Sequence, residues 1–392
     1  MRPLQRRSEM RQVLPDRSPG GRIGMPSMFF GKALKVDLSG AKLEEIQLDD
    51  SLYRERIGGA GIIASLLEDV REDVIALGVG PLTGTPCPAG SAAIACVADK
   101  DGKKRYAPIL LNGGLELRLT GFDFIIISGV SPEPSYLWVR DMIADLLPFP
   151  SDSASDCWAS CSRIRKDQGD PRIQVISCSE GDSASLNFTS GWDGIGLGAR
   201  MRNMNLRAIA FRGMAEIELH DPEKFLEKSS EMMRAFPRSI NGKIGLESLM
   251  GEAPLKIPGL RRSRACFSCT FPCLSYAESR DPAYPQFLVL DQRGIAALSR
   301  QGLPVNRILG HLSSEHRKGN AMSSDIRVFD TITEGLHESE RIAAAYILGL
   351  CPRYIGTLKP RFDEYCELLS IGRGERITEH QVLQVAGSLM RA

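Results

Sequence analysis

Apolar and polar positions alternate from Phe29 onward. Leu34, Val36 and Leu38 alternate with Lys35 and Asp37, the period of a half-buried strand. Ser39-Gly40 marks a turn, and Leu43 to Leu48 returns as the second strand of a hairpin. Residues 51–71 have a helical pattern interrupted by Gly58-Gly59-Ala60-Gly61, where another backbone can approach closely. Further strands are predicted at Val74 to Val79, Ala92 to Ala98, Phe122 to Ser128, Tyr136 to Val139, Ile173 to Ser177 and Leu206 to Phe211. Gly80 to Pro86 is too punctuated by Gly, Pro and Thr for helix or strand, and Asn112-Gly113-Gly114 has turn chemistry. Residues 150–170 are polar and Ser-rich, the composition of a surface connection, and Gly191 to Gly198 is a glycine-rich loop.

The period changes after Gly213. Pro222 to Phe236 spaces Phe225, Met232 and Met233 as a helix does, with Asp221 as N-cap and Pro222 at the first helical position. Helices are also predicted at 287–301, 304–317, 338–350, 361–370 and 378–391. The pattern divides the chain into a sheet-rich part, 28–213, and a helical part, 214–392. Residues 1–27 precede both. They hold Arg2, Arg6, Arg7, Arg11, Arg17 and Arg22 and lack an apolar segment, so they are expected to be a basic, disordered arm or the product of a misassigned start before Met25 or Met28.

The totals narrow the function classes. In 392 residues, 43% hydrophobic and 25% charged, there is room for two or three domains of ordinary soluble composition. A net charge of +1 makes no electrostatic case for nucleic acid or an anionic membrane surface. Runs such as Phe124-Ile125-Ile126-Ile127 are far shorter than a membrane span. Ten cysteines are too dilute for a disulfide scaffold and fit a reducing cytoplasm with metal ligands among them.

The candidate chemistry lies in Cys266-Phe267-Ser268-Cys269-Thr270-Phe271-Pro272-Cys273. Thiolates at these spacings can converge on one metal centre, and Cys351 in Gly349-Leu350-Cys351-Pro352 is the best fourth ligand. Spacing alone does not separate an iron–sulfur cluster from zinc, and a loop of unpaired, partly buried thiols has the same sequence. Cys157 and Cys161 have no second pair nearby and are assigned as structural or free.

Several stretches together resemble one family, the tungsten-pterin aldehyde:ferredoxin oxidoreductases. They are Gly31 to Ser39, Ile57 to Gly61, Gly80-Pro81-Leu82-Thr83-Gly84-Thr85, Leu115 to Asp123, Gly196 to Ala199 with Asn205 to Ala210, the three clustered cysteines, Gly349-Leu350-Cys351, and Gly374 to Ile377. The resemblance implies an α+β architecture: a two-sheet N-terminal domain that cradles a tungsten or molybdenum bis-pterin, followed by a truncated α-helical domain. It implies a [4Fe–4S] cluster on Cys266, Cys269, Cys273 and Cys351. It also implies oxidation of aldehydes to acids, with electrons passing to ferredoxin or a partner redox subunit. Asn112, Gly113 and Gly114 can present backbone donors to an anion, and Gly196 and Gly198 permit close approach of a phosphate, although these glycines also serve a sheet fold.

The departures from the family fall on function. Where the family has an arginine after its Gly-Pro-Leu-Thr-Gly-Thr motif, the aligned position is Ala93. Trp192-Asp193-Gly194-Ile195-Gly196 lacks another arginine, and an acidic residue is replaced near Tyr346. Only 77 residues separate Cys273 from Cys351, too few for the family's long helical insertion. The family's acidic stretch becomes Asp281 to Gln286, and His311 and His316 are expected to be ordinary surface histidines. The expected protein keeps the cluster with weakened pterin binding. The alternatives are a non-catalytic electron-transfer or assembly subunit, or a degenerate fragment with a structural zinc site. Loss of a large domain also predicts exposed apolar surface and therefore homo- or hetero-oligomerisation.

Overall fold

The computed structural model describes residues 28–149, 157–178, 184–185, 195–235, 260–270, 274–277, 288–291 and 339–391. The expected arm at 1–27, the helix at 304–317, Asp281 to Gln286, Cys273, His311 and His316 lie outside the described residues.

The first sheet has six strands in the order β2-β1-β6-β3-β4-β5. They are β1 (Lys32–Asp37), β2 (Lys42–Gln47), β3 (Val74–Val79), β4 (Ala93–Ala98), β5 (Lys104–Ile109) and β6 (Phe124–Ser128). β1 and β6 run parallel, and the other neighbours are antiparallel. The second sheet runs β10-β9-β11-β7-β8. It comprises β7 (Ser135–Arg140), β8 (Ile143–Pro148), β9 (Gln174–Cys178), β10 (Ala184–Ser185) and β11 (Leu206–Arg212).

Two short helices, α3 (Gly113–Leu119) and α5 (Leu197–Asn203), lie between the sheets. Leu117 of α3 and Leu197 and Met201 of α5 share one core with Val36, Leu77 and Ala95 of the first sheet and Leu137, Ile209 and Phe211 of the second. The opposite face of the first sheet is covered by helices from both ends of the chain: α1 (Asp50–Arg56), α2 (Gly59–Leu66), α6 (Pro222–Ala235), α7 (Glu340–Leu348), α8 (Pro352–Leu358), α9 (Phe362–Arg373) and α10 (Glu379–Arg391). β3 and β4 are therefore buried along their whole length, as unbroken apolar runs require. The helices after residue 213 thus share a core with the first sheet. Helix α4 (Cys157–Gln168) covers the outer face of the second sheet through Cys161 and Ile164.

Several expectations are corrected. The helix over 51–71 is two helices broken at Ile57, whose φ is 67°. The connection at 150–170 contains α4: its Ser, Arg and Lys conceal a helix that is held by packing of one face, not by propensity. The turn at 112–114 opens α3, and the glycine-rich loop ends in α5. β5 contains Pro108, which a strand tolerates here because β5 lies at the sheet edge. The helix over 287–301 begins instead as a strand. β12 (Leu260–Arg264), β13 (Leu274–Ala277) and β14 (Leu288–Asp291) form a three-stranded antiparallel sheet inside the part expected to be purely helical. The helices predicted at 222–236, 338–350, 361–370 and 378–391 are present, and the Asp221 carboxylate accepts the Lys224 N–H at 3.1 Å as an N-cap does.

Candidate metal centre

The register of the first sheet brings its connecting loops to one end. Val79 pairs with Ala93, and Ala93 with Ile109. Gly80, Ala92 and Leu110 therefore leave the sheet side by side. The loop between β3 and β4 folds on its own threonines. The Thr83 hydroxyl donates to the Ala92 carbonyl at 2.6 Å and accepts the Gly80 N–H at 2.9 Å, and the Thr85 hydroxyl donates to the Leu82 carbonyl at 2.8 Å. The chain reversal after α7 packs directly on this loop. Leu82 N–H donates to the Leu348 carbonyl at 3.0 Å, and Ala92 N–H to the Gly349 carbonyl at 3.2 Å. A Cβ at Gly80 would collide with the Leu348–Gly349 peptide, and one at Gly349, where φ is 80°, would collide with Thr83 Oγ1. Both glycines are there for close backbone approach.

This packing sets the position of the cysteines. Ala89, fully buried with φ 62°, donates its N–H to the Ser268 carbonyl at 3.1 Å, and its carbonyl accepts the Cys351 N–H at 3.0 Å. One residue, through its own N–H and C=O, thus clips the Cys266–Cys269 turn to Cys351. The turn itself is closed by Cys269 N–H on the Cys266 carbonyl at 3.1 Å, and Leu111 N–H donates to Cys266 Sγ at 3.3 Å. Cys351 is buried at the N-cap of α8, while Cys266 and Cys269 are half-buried. Burial pushes the Tyr354 and Tyr365 hydroxyls above their usual range, and the neighbouring Cys269 and Cys87 thiols add to that shift. Among the described residues, no three His, Cys, Asp or Glu side chains are grouped closely enough to hold a single metal ion.

The donor set nevertheless suits a sulfur-ligated group. Cys266 Sγ already accepts a backbone N–H, the contact that stabilises a thiolate ligand. The Thr270 hydroxyl, next to Cys269, is hydrogen-bonded to the Tyr354 hydroxyl and so ties the end of the cysteine turn to α8.

The five residues expected to approach a pterin are not brought together. Asn112 follows Leu111 at the cysteine end of the sheet. Gly114 is filled by protein, since a Cβ there would strike the Ser91 carbonyl. Ile195, before Gly196, accepts from Arg105 Nε at 3.0 Å, and Arg105 lies at the opposite end of β5. Gly196 needs its glycine for φ 78° at the cap of α5, whereas Gly198 is buried inside that helix. Asn112 and Gly196 thus lie toward opposite ends of β5. Strand alternation also corrects the reading of Ala93. Its side chain joins the core between the sheets, so it is not a vacated phosphate contact. Tyr346 is buried against the other core.

The Leu115–Asp123 motif acts structurally. Asp123, fully buried, accepts from Arg118 Nη1 (3.0 Å), Tyr53 OH (2.8 Å), Gly31 N–H (2.7 Å) and Phe30 N–H (2.9 Å). Glu116 accepts from Arg212 at 2.8 Å and from the Gly213 N–H at 3.3 Å. The motif thereby fixes the entry to β1 and the exit from β11. Ala89 and Leu111 had no sequence signal, because both act through backbone groups.

Residues 33–213 match the family "Aldehyde ferredoxin oxidoreductase, N-terminal domain". The likeness to that family covers the two-sheet part of the chain. Curated relatives include the tungsten-containing aldehyde ferredoxin oxidoreductase of Pyrococcus abyssi, 27% identical over 223 residues, which are 51% of this chain and 36% of that protein. The enzyme of the same name from Thermococcus kodakarensis is 25% identical over 50% of this chain and 35% of its own length. The aliphatic sulfonate oxidoreductase, WOR-like subunit, of Pyrococcus furiosus is 26% identical over 50% of this chain and 36% of its own. The chain thus spans about a third of the length of these relatives. Among solved structures, the active-site complex BamBC of benzoyl coenzyme A reductase in complex with 1,5-dienoyl-CoA has a TM-score of 0.66 at 17% identity, covering 80% of this chain and 57% of that one. That likeness shows a shared fold. No helix among the described residues is long and apolar enough to cross a membrane.

Proposed function

We propose that this is an electron-transfer protein of the aldehyde ferredoxin oxidoreductase family. In this reading Cys266, Cys269, Cys273 and Cys351 hold one [4Fe–4S] cluster and tungstopterin binding is weakened. The observation that carries it is the backbone N–H and C=O of Ala89, which tie the Cys266–Cys269 turn to Cys351, together with the Leu111 N–H on Cys266 Sγ. A cluster on these thiolates would take up and release one electron at a time, at a potential set by hydrogen bonds to sulfur and by burial. The partner in this reading is ferredoxin or another redox subunit, and the compartment is the cytoplasm. Oxidation of aldehydes by this chain alone has less support, because the positions expected to meet the pterin lie at both ends of the first sheet.

The test is anaerobic purification followed by iron, acid-labile sulfide, tungsten and pterin analysis on one sample, with electron paramagnetic resonance of the dithionite-reduced protein. About four irons and four sulfides per chain, lost in Cys269→Ser, are expected. Zinc as the sole metal, or full iron in Cys269→Ser, would overturn the reading. Tungsten and pterin with dye-linked aldehyde oxidation would replace it with an enzyme.

A further inference from the structure

A groove on the helical side has a lining of its own, without cysteines. It has a volume of about 430 Å³ and opens between the last turn of α1, Ile377 and helix α10. That volume is within the range of small-ligand pockets. Its apolar lining is Ile57, Ile377 and Val385, buried or half-buried. Its rim carries three guanidiniums, Arg54, Arg56 and Arg391, against one carboxylate, Glu55.

The guanidiniums are not equivalent. Arg54 is held by Glu375 at 2.5 Å, and the second oxygen of Glu375 is taken by Arg373 at 2.6 Å. Arg56 and Arg391 have no ion pair or side-chain hydrogen bond among the described residues. Beyond the groove, the nearby carboxylate is Glu340, whose Oε1 lies beside Gly387 together with Arg391 Nη1, without forming an ion pair. Gln381 is oriented by its neighbours. Its carbonyl oxygen accepts both the N–H and the hydroxyl of Thr378 at 2.8 Å, which leaves its NH₂ group to donate. The Ser388 hydroxyl donates to the Val385 carbonyl at 2.7 Å. The groove therefore offers donors and positive charge at its rim beside an apolar lining.

We propose that this groove binds a small organic carboxylate, with the carboxylate on the Arg56 and Arg391 forks and the apolar body on Ile57, Ile377 and Val385. A planar fork matches a carboxylate in two parallel hydrogen bonds, and the apolar lining favours an anion with a hydrocarbon part over a bare one. Both arginines also lie in last turns of helices, where any cation interacts well with the terminal carbonyls. The fork and the helix-end charge separate experimentally, because lysine preserves the charge and loses the fork.

The experiment is isothermal titration of the full chain at low ionic strength with sodium butyrate, and separately with inorganic phosphate. Saturable one-to-one butyrate binding in the millimolar range or tighter is expected. It should weaken by about tenfold or more in Arg56→Lys and in Arg391→Lys. Lys42→Ala, on the distant β2, should bind as the parent does. Absence of saturable butyrate binding, or equal binding in both lysine variants, would overturn the proposal. Phosphate binding as tight as butyrate would overturn the assignment to carboxylates.

Discussion

The Arg118–Asp123 pair gives the sharpest test of how the domain is built. Both side chains are fully buried, and the two partners are unequal. Asp123 receives four donors, whereas Arg118 Nε and Nη2 have no partner among the described residues and the cation rests 5.2 Å from the ring centroids of Phe29 and Phe30. Asp123→Asn keeps the shape but removes the charge that balances Arg118. It also turns an NH₂ group toward donors, since every neighbour of the carboxylate donates to it. Stranding a buried charge in this way costs about 3–5 kcal/mol, a large part of a typical stability of about 5–15 kcal/mol. Arg118→Met removes an under-satisfied cation and leaves Asp123 with Tyr53, Phe30 and Gly31, so its cost should be about 1–2 kcal/mol at pH 4, where the carboxyl can take up a proton, and larger at pH 7, where a buried carboxylate is left without its counter-charge. Burial, the leading influence on Asp123, pushes its carboxyl above the usual range, and Arg118 opposes this. Without Arg118 the folded state therefore holds the proton more tightly than the unfolded one. The stability of Arg118→Met should fall as pH rises above about 4, the unfolded carboxyl value. Urea unfolding of the three proteins at pH 4 and pH 7, compared at equal slope, measures this. Equal costs for the two variants at pH 4, or a cost of Arg118→Met that does not grow from pH 4 to pH 7, would refute the reasoning.

The remaining predictions concern the cysteine end of the sheet and the surface. Gly349→Ala places a Cβ against Thr83 Oγ1 in a left-handed conformation, and should lower stability by about 2 kcal/mol or more in the same urea assay. Ala89→Pro removes the N–H that holds Ser268 and forbids φ 62°, so iron retention after anaerobic desalting should drop, whereas Ala89→Gly should retain it. Hydrogen bonds from Arg172 and then Arg212 hold the Asp170 carboxyl below its usual range, so its contribution is complete above about pH 4 and is lost as pH falls through the folded value. Melting temperatures from neutral to strongly acidic pH should therefore decline less steeply in Asp170→Asn than in the parent.

Local pattern was enough to place most strands of both sheets and the helices with strong caps. β1, β3, β4, β6, β9 and β11 follow apolar runs or alternation, and α6 follows its Asp-Pro start. The cysteines could be singled out as ligand candidates because thiolate spacing is a one-dimensional property. The elements that were missed lack such a signal. α3 opens on two poor helix formers, α4 is dominated by polar residues, and β5 contains a proline. Each is stabilised by what it packs against.

The tertiary structure alone decided which residues meet. The pairing of Val79, Ala93 and Ile109 puts three loops at one sheet end. From there, Ala89 and Leu111 reach the cysteine turn and Cys351 through backbone groups that every residue carries and no sequence can mark. The same register turns Ala93 into the core and separates Asn112 from Gly196. Residue identity fixed the available chemistry and the strand periods. Long-range pairing, which depends on the sum of many buried contacts and not on any local preference, decided where that chemistry is gathered.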